Sequence, residues 1–244
     1  MRELRLHSDG LRLEEADRPV PEEGELLVRV HAAAITRGEL EWPTNRLPAV
    51  PSYELSGVVA ETGEEVFALT PSDRDGVAAD YALVPAVVLA AKPARLTHLE
   101  AAVLPMGGLS AWQGLFVHGR LQAGERVLIT GASGGVGDLA VQLARHAGAE
   151  VVEEGAADLV FDTVGGELPG AERVVTIAVE APGATYFIVE PDREQLRELA
   201  RLADAGEVVP AVDSTYSLER AREAFERVAE RGKRGKVVLD VAGT

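Results

Sequence analysis

Residues 126–152 read RVLITGASGGVGDLAVQLARHAGAEVV, and this stretch decides the fold. Val127 to Thr130 is a short apolar run with β-branched side chains. It passes directly into Gly131, Gly134, Gly135 and Gly137 before a helical pattern begins, so the order is strand, tight glycine turn, helix. Val136, Leu139, Ala140, Leu143 and Ala147 lay one apolar stripe along that helix, and Gly148 supplies its C-cap. Glycine has no Cβ, so backbone can come close to a pyrophosphate, whose charge then meets free N–H groups and the dipole of a helix N-terminus. Gly131, Ser133, Gly134, Gly135, Val136 and Gly137 are therefore candidate dinucleotide-binding residues. The plainer alternative is that the glycines serve only a sharp turn.

The surrounding chain has 244 residues, enough for two modest domains sharing an interface or one large one. A net charge of -16 argues against nucleic acid or an anionic membrane surface as partner, because phosphate recognition needs clustered Lys and Arg. No apolar run approaches the roughly 18 residues needed to span a bilayer. The opening MRELRLHSDG alternates like a first strand and lacks the apolar core of a signal peptide, so the expected compartment is the cytoplasm. Cysteine is absent, which removes disulfides, thiolate nucleophiles and Cys-ligated zinc. His7, His31, His98, His118 and His146 are scattered, with no metal-ligand spacing among them, so no metal is expected. Lysine occurs only at Lys92, Lys233 and Lys236.

Up to about Pro93 the pattern is short strands and turns, at residues 3–6, 11–13, 25–33, 56–61, 65–69, 79–85 and 87–91, which predicts a compact β-barrel. Thr97 caps a helix with Glu100 in its first turn, and Ser110 caps or joins a second over residues 111–118. After the glycine turn, DLVFDTV at residues 158–164 reads as a buried strand, with further strands at 173–179, 185–190, 207–212 and 236–241. Asp192 caps a helix over 193–204, and residues 218–230 form an amphipathic one. Alternating strand and helix implies a parallel doubly wound sheet, giving an α/β fold.

The motifs LLVRVHAAAITRGEL, PSYELSGVVAETGEEV, LTHLEAAVLPMGGLSAWQGL, AGERVLITGASGGVGDLAVQLARHAGA, DLVFDTVGG and RGKRGKVVLDV occur in that order. Together they resemble the zinc-independent medium-chain dehydrogenase/reductase family, specifically its quinone oxidoreductase-like, NADP-dependent enzymes. The resemblance implies a GroES-like β-barrel domain built from residues 1–93 and 211–244, and a shortened Rossmann-like domain over 94–210. It also implies NADP or NAD as cofactor and hydride transfer to a quinone or an activated alkene. Thr36, Tyr53 and Ser110 fall where the family places substrate, and Thr163, Val164 and Gly165 join the glycine loop at the cofactor. Thr36 stands where many relatives carry Asn. Glu54 is expected to be a structural acid holding the domain junction. Trp42 and Trp112 either line the cleft or pack in the core. The implied substrate is small, apolar and carbonyl-bearing, and the implied assembly is a homodimer paired through the sheet edge at 185–190.

The chain departs from the family just after the glycine helix. Parallel neighbours normally need a crossover of about a dozen residues, and only six separate Val152 from Leu159. A second strand here is therefore doubtful, and residues 149–157 are expected to be an exit loop. Glu153 and Glu154 occupy the place of a 2′-phosphate reader, which they would repel, although Glu153 could bond an NAD ribose. Three readings follow: an NAD(P)H-dependent reductase, a cofactor-independent enzyme acting on an enone-type substrate in the interdomain cleft, and a non-enzymatic scaffold.

Overall fold

The computed structural model describes residues 1–42, 46–168, 170–230 and 232–243. Strands β1 (Arg2–His7) and β2 (Gly10–Glu15) form an antiparallel hairpin. The barrel sheet is then laid down by β3 (Glu25–Ile35), β4 (Glu54–Val59), β5 (Glu65–Leu69), β6 (Tyr81–Pro85) and β7 (Ala90–Ala91). The chain passes through α1 (His98–Ala101) and α2 (Leu104–Trp112), which continues as a π-helical segment, Gln113–His118. The second unit follows as β8 (Arg126–Ile129), α3 (Gly137–His146), β9 (Glu150–Val152), β10 (Leu159–Asp162), β11 (Arg173–Thr176), β12 (Thr185–Tyr186) and α4 (Arg193–Ala205). Then β13 (Val212–Ser217), α5 (Ala221–Ala229) and β14 (Lys236–Asp240) return to the barrel. Its sheet runs β13-β14-β3-β4-β5-β7, with β6 also paired to β3.

Strand β3 has eleven residues, and that length lets it serve two partners on one edge: β6 along Glu25 to Arg29 and β14 along Ala32 to Ile35. Ala32 and Ala34 of its second half pack with Ala102 and Val103, while Ala33 joins the barrel core. The second sheet is wholly parallel in the order β12-β11-β10-β8-β9. One core gathers Leu139, Leu143, Phe161, Leu196 and Leu199 between that sheet and its helices, and another gathers Leu55, Val30, Val237 and Leu239 inside the barrel. The predicted caps form. Thr97 and Glu100 make a reciprocal capping box, Asp192 accepts from the Gln195 N–H at 2.9 Å, and Gly148 ends α3 at φ 79°.

Four expectations are corrected. Residues 149–157 are not merely a loop, because β9 pairs with β8 in parallel. With only three residues, roughly 10 Å, β9 lets a six-residue link return to the start of β10, which lies on the other side of β8. The second helix begins at Leu104, not near Ser110. Pro105 sits in its first turn, where its missing N–H costs nothing, and Gly107 and Gly108 stay helical because they pack on Gly135 and Leu199 without room for a Cβ. The strand expected at 185–190 is only Thr185–Tyr186, since Phe187 turns inward to stack on His118 at 4.4 Å and Gln113 holds both backbone groups of Glu190. The strand expected at 207–212 forms later, as β13, because the Gln142 amide clasps the N–H and C=O of Val209 while Val208 is buried. No helix among the described residues is long and apolar enough to cross a membrane.

Candidate active site at the junction of the two sheets

The connections leaving β8 and β10 run to opposite sides of the parallel sheet, and such a switch point opens a crevice outside the carboxyl ends of the strands. Here Thr130 follows β8 and Asp162 ends β10. Asp162 is fully buried and accepts from Thr130 Oγ1 at 2.5 Å, Thr176 Oγ1 at 2.7 Å, the Gly165 N–H at 3.0 Å and the Val164 N–H at 3.2 Å. Burial opposes its ionisation, but these donors outweigh burial and hold the carboxyl below its ordinary range. The Thr163 hydroxyl donates to Thr130 O at 2.7 Å, which fixes the turn through Thr163, Val164 and Gly165 across the crevice floor. Gly131, at φ 68°, lies directly against Thr163 and Val164. The candidate cofactor residues from the two strand ends therefore meet.

The glycines of the loop have separate tasks. A Cβ on Gly137 would strike the Gly131 carbonyl, and one on Gly135 would strike the Lys236 stem. Gly134 is different, since its Cβ direction meets only Gly131 O at 3.2 Å. Helix α3 begins with no side-chain cap, whereas α1 and α4 both have one. An open glycine face before an uncapped helix N-terminus fits the phosphates of a dinucleotide. The adenosine end is less accommodating. Glu153 and Glu154 stand exposed just beyond β9, and residues 149–157 contain no Lys or Arg.

Opposite the glycine loop, the barrel contributes a polar cluster. The loop and barrel touch directly, with the Gly235 N–H donating to Ser133 O at 3.3 Å beside a backbone bridge between Gly134 and Gly235. Lys236 Nζ donates to buried Glu54 Oε1 and to Thr36 Oγ1, the latter at 3.1 Å. The other Glu54 oxygen accepts the Met106 N–H at 2.9 Å, which ties α2 to the barrel as expected of a junction acid. Burial pushes the Glu54 pKa up, against the opposing pull of Lys236. Glu39 is also buried and accepts from the Thr36 N–H at 2.8 Å and the Ser52 N–H at 3.1 Å. Its pKa is raised to about 8, chiefly by burial. Tyr53 follows Ser52 and stacks on Trp42 with ring centroids 5.8 Å apart. Burial raises the Tyr53 pKa.

The structure thus brings Thr36 to the glycine loop through Lys236, while Tyr53 pairs with Trp42. Ser110 is buried within α2, one turn beyond Met106, and Trp112 pairs edge-on with Phe116 at 4.9 Å. Lys236, Glu39 and Asp162 were missed from sequence. The available signal was a lysine heading an apolar strand, which when buried demands a partner. Among the described residues, no group of three His, Asp or Glu could hold a metal ion.

Two family matches cover most of the chain. An alcohol dehydrogenase GroES-like domain matches residues 22–94, and a zinc-binding dehydrogenase domain matches residues 136–239. A probable mitochondrial zinc-binding oxidoreductase of Arthroderma benhamiae is 31% identical, with 92% of each chain covered. That alignment runs over 303 positions, more than this chain has residues. The 2-methylene-furan-3-one reductase of Solanum lycopersicum is 30% identical over 95% of this chain and 76% of its own. The quinone oxidoreductase of Thermus thermophilus, solved also with NADPH, is 27% identical and superposes with a TM-score of 0.85 over 99% of this chain and 100% of its own. The chain belongs to the medium-chain dehydrogenase/reductase family, in its quinone oxidoreductase-like branch.

Proposed function

We propose that this protein is an NAD(P)H-dependent reductase that transfers hydride to an activated alkene or a quinone. The observation that carries the reading is the placement of the Thr36 hydroxyl next to Lys236, whose stem packs on the glycine loop at the switch point. A reduced nicotinamide, when bound, supplies the hydride. Gly134 and the N-terminus of α3 would take its phosphates, and Thr163, Val164 and Gly165 would border its nicotinamide end. Thr36 and Tyr53 would hydrogen-bond the carbonyl oxygen on which charge develops. The Trp42–Tyr53 stack supports a small, flat, apolar carbonyl compound as substrate, and exposed Tyr186 and Ile188 support pairing of two chains at the β12 edge. The names of the tomato and Thermus relatives support the same acceptor chemistry.

The test is a titration with NADPH and NADH that follows fluorescence of Trp42 and Trp112, then oxidation of the bound cofactor by 1,4-benzoquinone and by but-3-en-2-one. Micromolar binding and acceptor-dependent oxidation are expected. No binding of either cofactor at millimolar concentration overturns the reading.

A further inference from the structure

We propose that Lys236 is the proton source of the reaction and delivers its proton through the Thr36 hydroxyl, a role that rests on the reductase reading. Three observations place the relay. Lys236 Nζ donates to Thr36 Oγ1 at 3.1 Å while its other partner is Glu54. The Thr36 hydroxyl has two acceptors within reach, Met106 Sδ at 3.0 Å and the Glu54 carboxylate. The thioether is a weak acceptor and Lys236 already engages Glu54, so that hydrogen can be redirected to an anionic oxygen of the substrate. Among Thr36, Glu39, Ser52, Glu54, Met106 and Lys236, Thr36 alone is partly exposed, and it is therefore the outlet of an otherwise buried network. Glu39 fixes that outlet by accepting the Thr36 backbone N–H.

Hydride adds to the β-carbon of an enone, the C=C pair becomes the double bond between the α-carbon and the carbonyl carbon, the C=O π pair moves onto oxygen, and the resulting enolate oxygen takes the Thr36 hydroxyl proton. The Thr36 oxygen regains a proton from Lys236, so one O–H bond breaks and another forms on Thr36 while Lys236 loses one N–H bond. Lys236 leaves the step as a neutral amine beside Glu54 and is reprotonated from water. The released enol becomes the ketone in solution. Thr36 is the catalytic residue, and Lys236 and Glu54 act through it.

The experiment compares the wild-type chain with Thr36→Val, Thr36→Ser, Tyr53→Phe and the double variant Lys236→Met/Glu54→Gln. NADPH affinity, kcat on but-3-en-2-one between pH 6 and 9, and binding of 4-nitrophenolate by its visible spectrum are read. Nitrophenolate is an enolate mimic that needs the Thr36 donor but no cofactor. Loss of a positioned proton donor costs about a hundredfold or more in rate. Thr36→Val is expected to lose that much in kcat and about tenfold in nitrophenolate affinity, with NADPH affinity within about twofold. Thr36→Ser should restore most of both. The double variant should keep its fold while losing the wild-type dependence of kcat on pH. Thr36→Val within threefold of wild type, or the whole loss appearing in Tyr53→Phe instead, overturns the relay alone. A wild-type chain that binds no NADPH overturns the relay together with the reductase reading.

Discussion

The stem of Lys236 fills the space in front of Gly135, and from there its ammonium group reaches Thr36 Oγ1 at 3.1 Å. Gly135 is thus a packing glycine, while Gly134 keeps its face open. Gly135→Ala should push Lys236 away from Glu54 and Thr36 and cost about 1–3 kcal/mol, as overpacking does. Gly134→Ala should leave stability nearly unchanged and weaken dinucleotide binding about tenfold. Thermal unfolding and a cofactor titration on the two variants separate these effects. Equal loss of stability in both would remove the distinction.

Lys236 and Glu54 are buried together, 182 residues apart in sequence. Removing one partner of such a pair costs about 3–5 kcal/mol because the other is left without compensation. Lys236→Met should therefore destabilise strongly, and adding Glu54→Gln should recover part of the loss. Lys236 lowers the Glu54 pKa, so its removal leaves a carboxyl that protonates more readily. The deficit of Lys236→Met should shrink as pH falls. Denaturant unfolding at two pH values measures both the coupling and its direction; additive costs would show that the pair is not a unit.

These contacts mark the limit of what the sequence discloses. The glycine stretch, its helix stripe and the caps at Thr97 and Asp192 are set by neighbours within a few residues, and all were legible. Glu54 was legible as a junction acid through resemblance. Lys236 and Glu39 were not, because each acquires its chemistry from distant segments. The short strand β9 was lost for a geometric reason: a strand of ordinary length could barely be retraced by six residues, whereas a three-residue strand needs a much shorter return path. Ser110 offers a local cap for helix α2, yet the helix begins at Leu104, because Gly107 and Gly108 pack on Gly135 and Leu199 inside it and that packing is set by distant segments.

Glu153 and Glu154 stand exposed beyond β9, where the adenosine ribose of a dinucleotide would lie. Their charge disfavours a 2′-phosphate more than a ribose hydroxyl. Glu153→Lys/Glu154→Lys should raise NADPH affinity relative to NADH. An exposed charge pair is worth about 1 kcal/mol, so the change should be about fivefold per residue at low salt and should fade at high salt. Parallel titrations with both cofactors at two ionic strengths decide it, and an unchanged preference would place the adenosine elsewhere.

Buried Glu39 and half-buried His98 bend stability with pH in opposite senses. Glu39 holds its proton more tightly folded than unfolded, with a pKa raised from 4.5 to about 8, mainly by burial. Its contribution is full below pH 4.5 and is lost as pH rises towards about 8. His98 behaves oppositely. Burial, then neighbouring His31, whose ring lies 4.2 Å away, lower its pKa from 6.5 to about 4. Its contribution is full above pH 6.5 and is lost as pH falls towards about 4. Around the pair stand Ser56, Glu65 and Lys92, with Arg29 and Asp240 near His31, and both His31 ring nitrogens are buried with no hydrogen-bond partner. Between pH 4.5 and 6.5 the two slopes oppose each other. Above pH 6.5 the His98 slope is gone and that of Glu39 remains, at most about 1.4 kcal/mol per pH unit for one proton, with buried Glu54, whose pKa is also raised, acting in the same sense. Urea unfolding should therefore show stability declining from pH 6.5 to 8, and Glu39→Gln should flatten that decline. His98→Gln should instead flatten the acid side, so that a Glu39→Gln protein with the wild-type slope above pH 6.5 would exclude Glu39 as the titrating group.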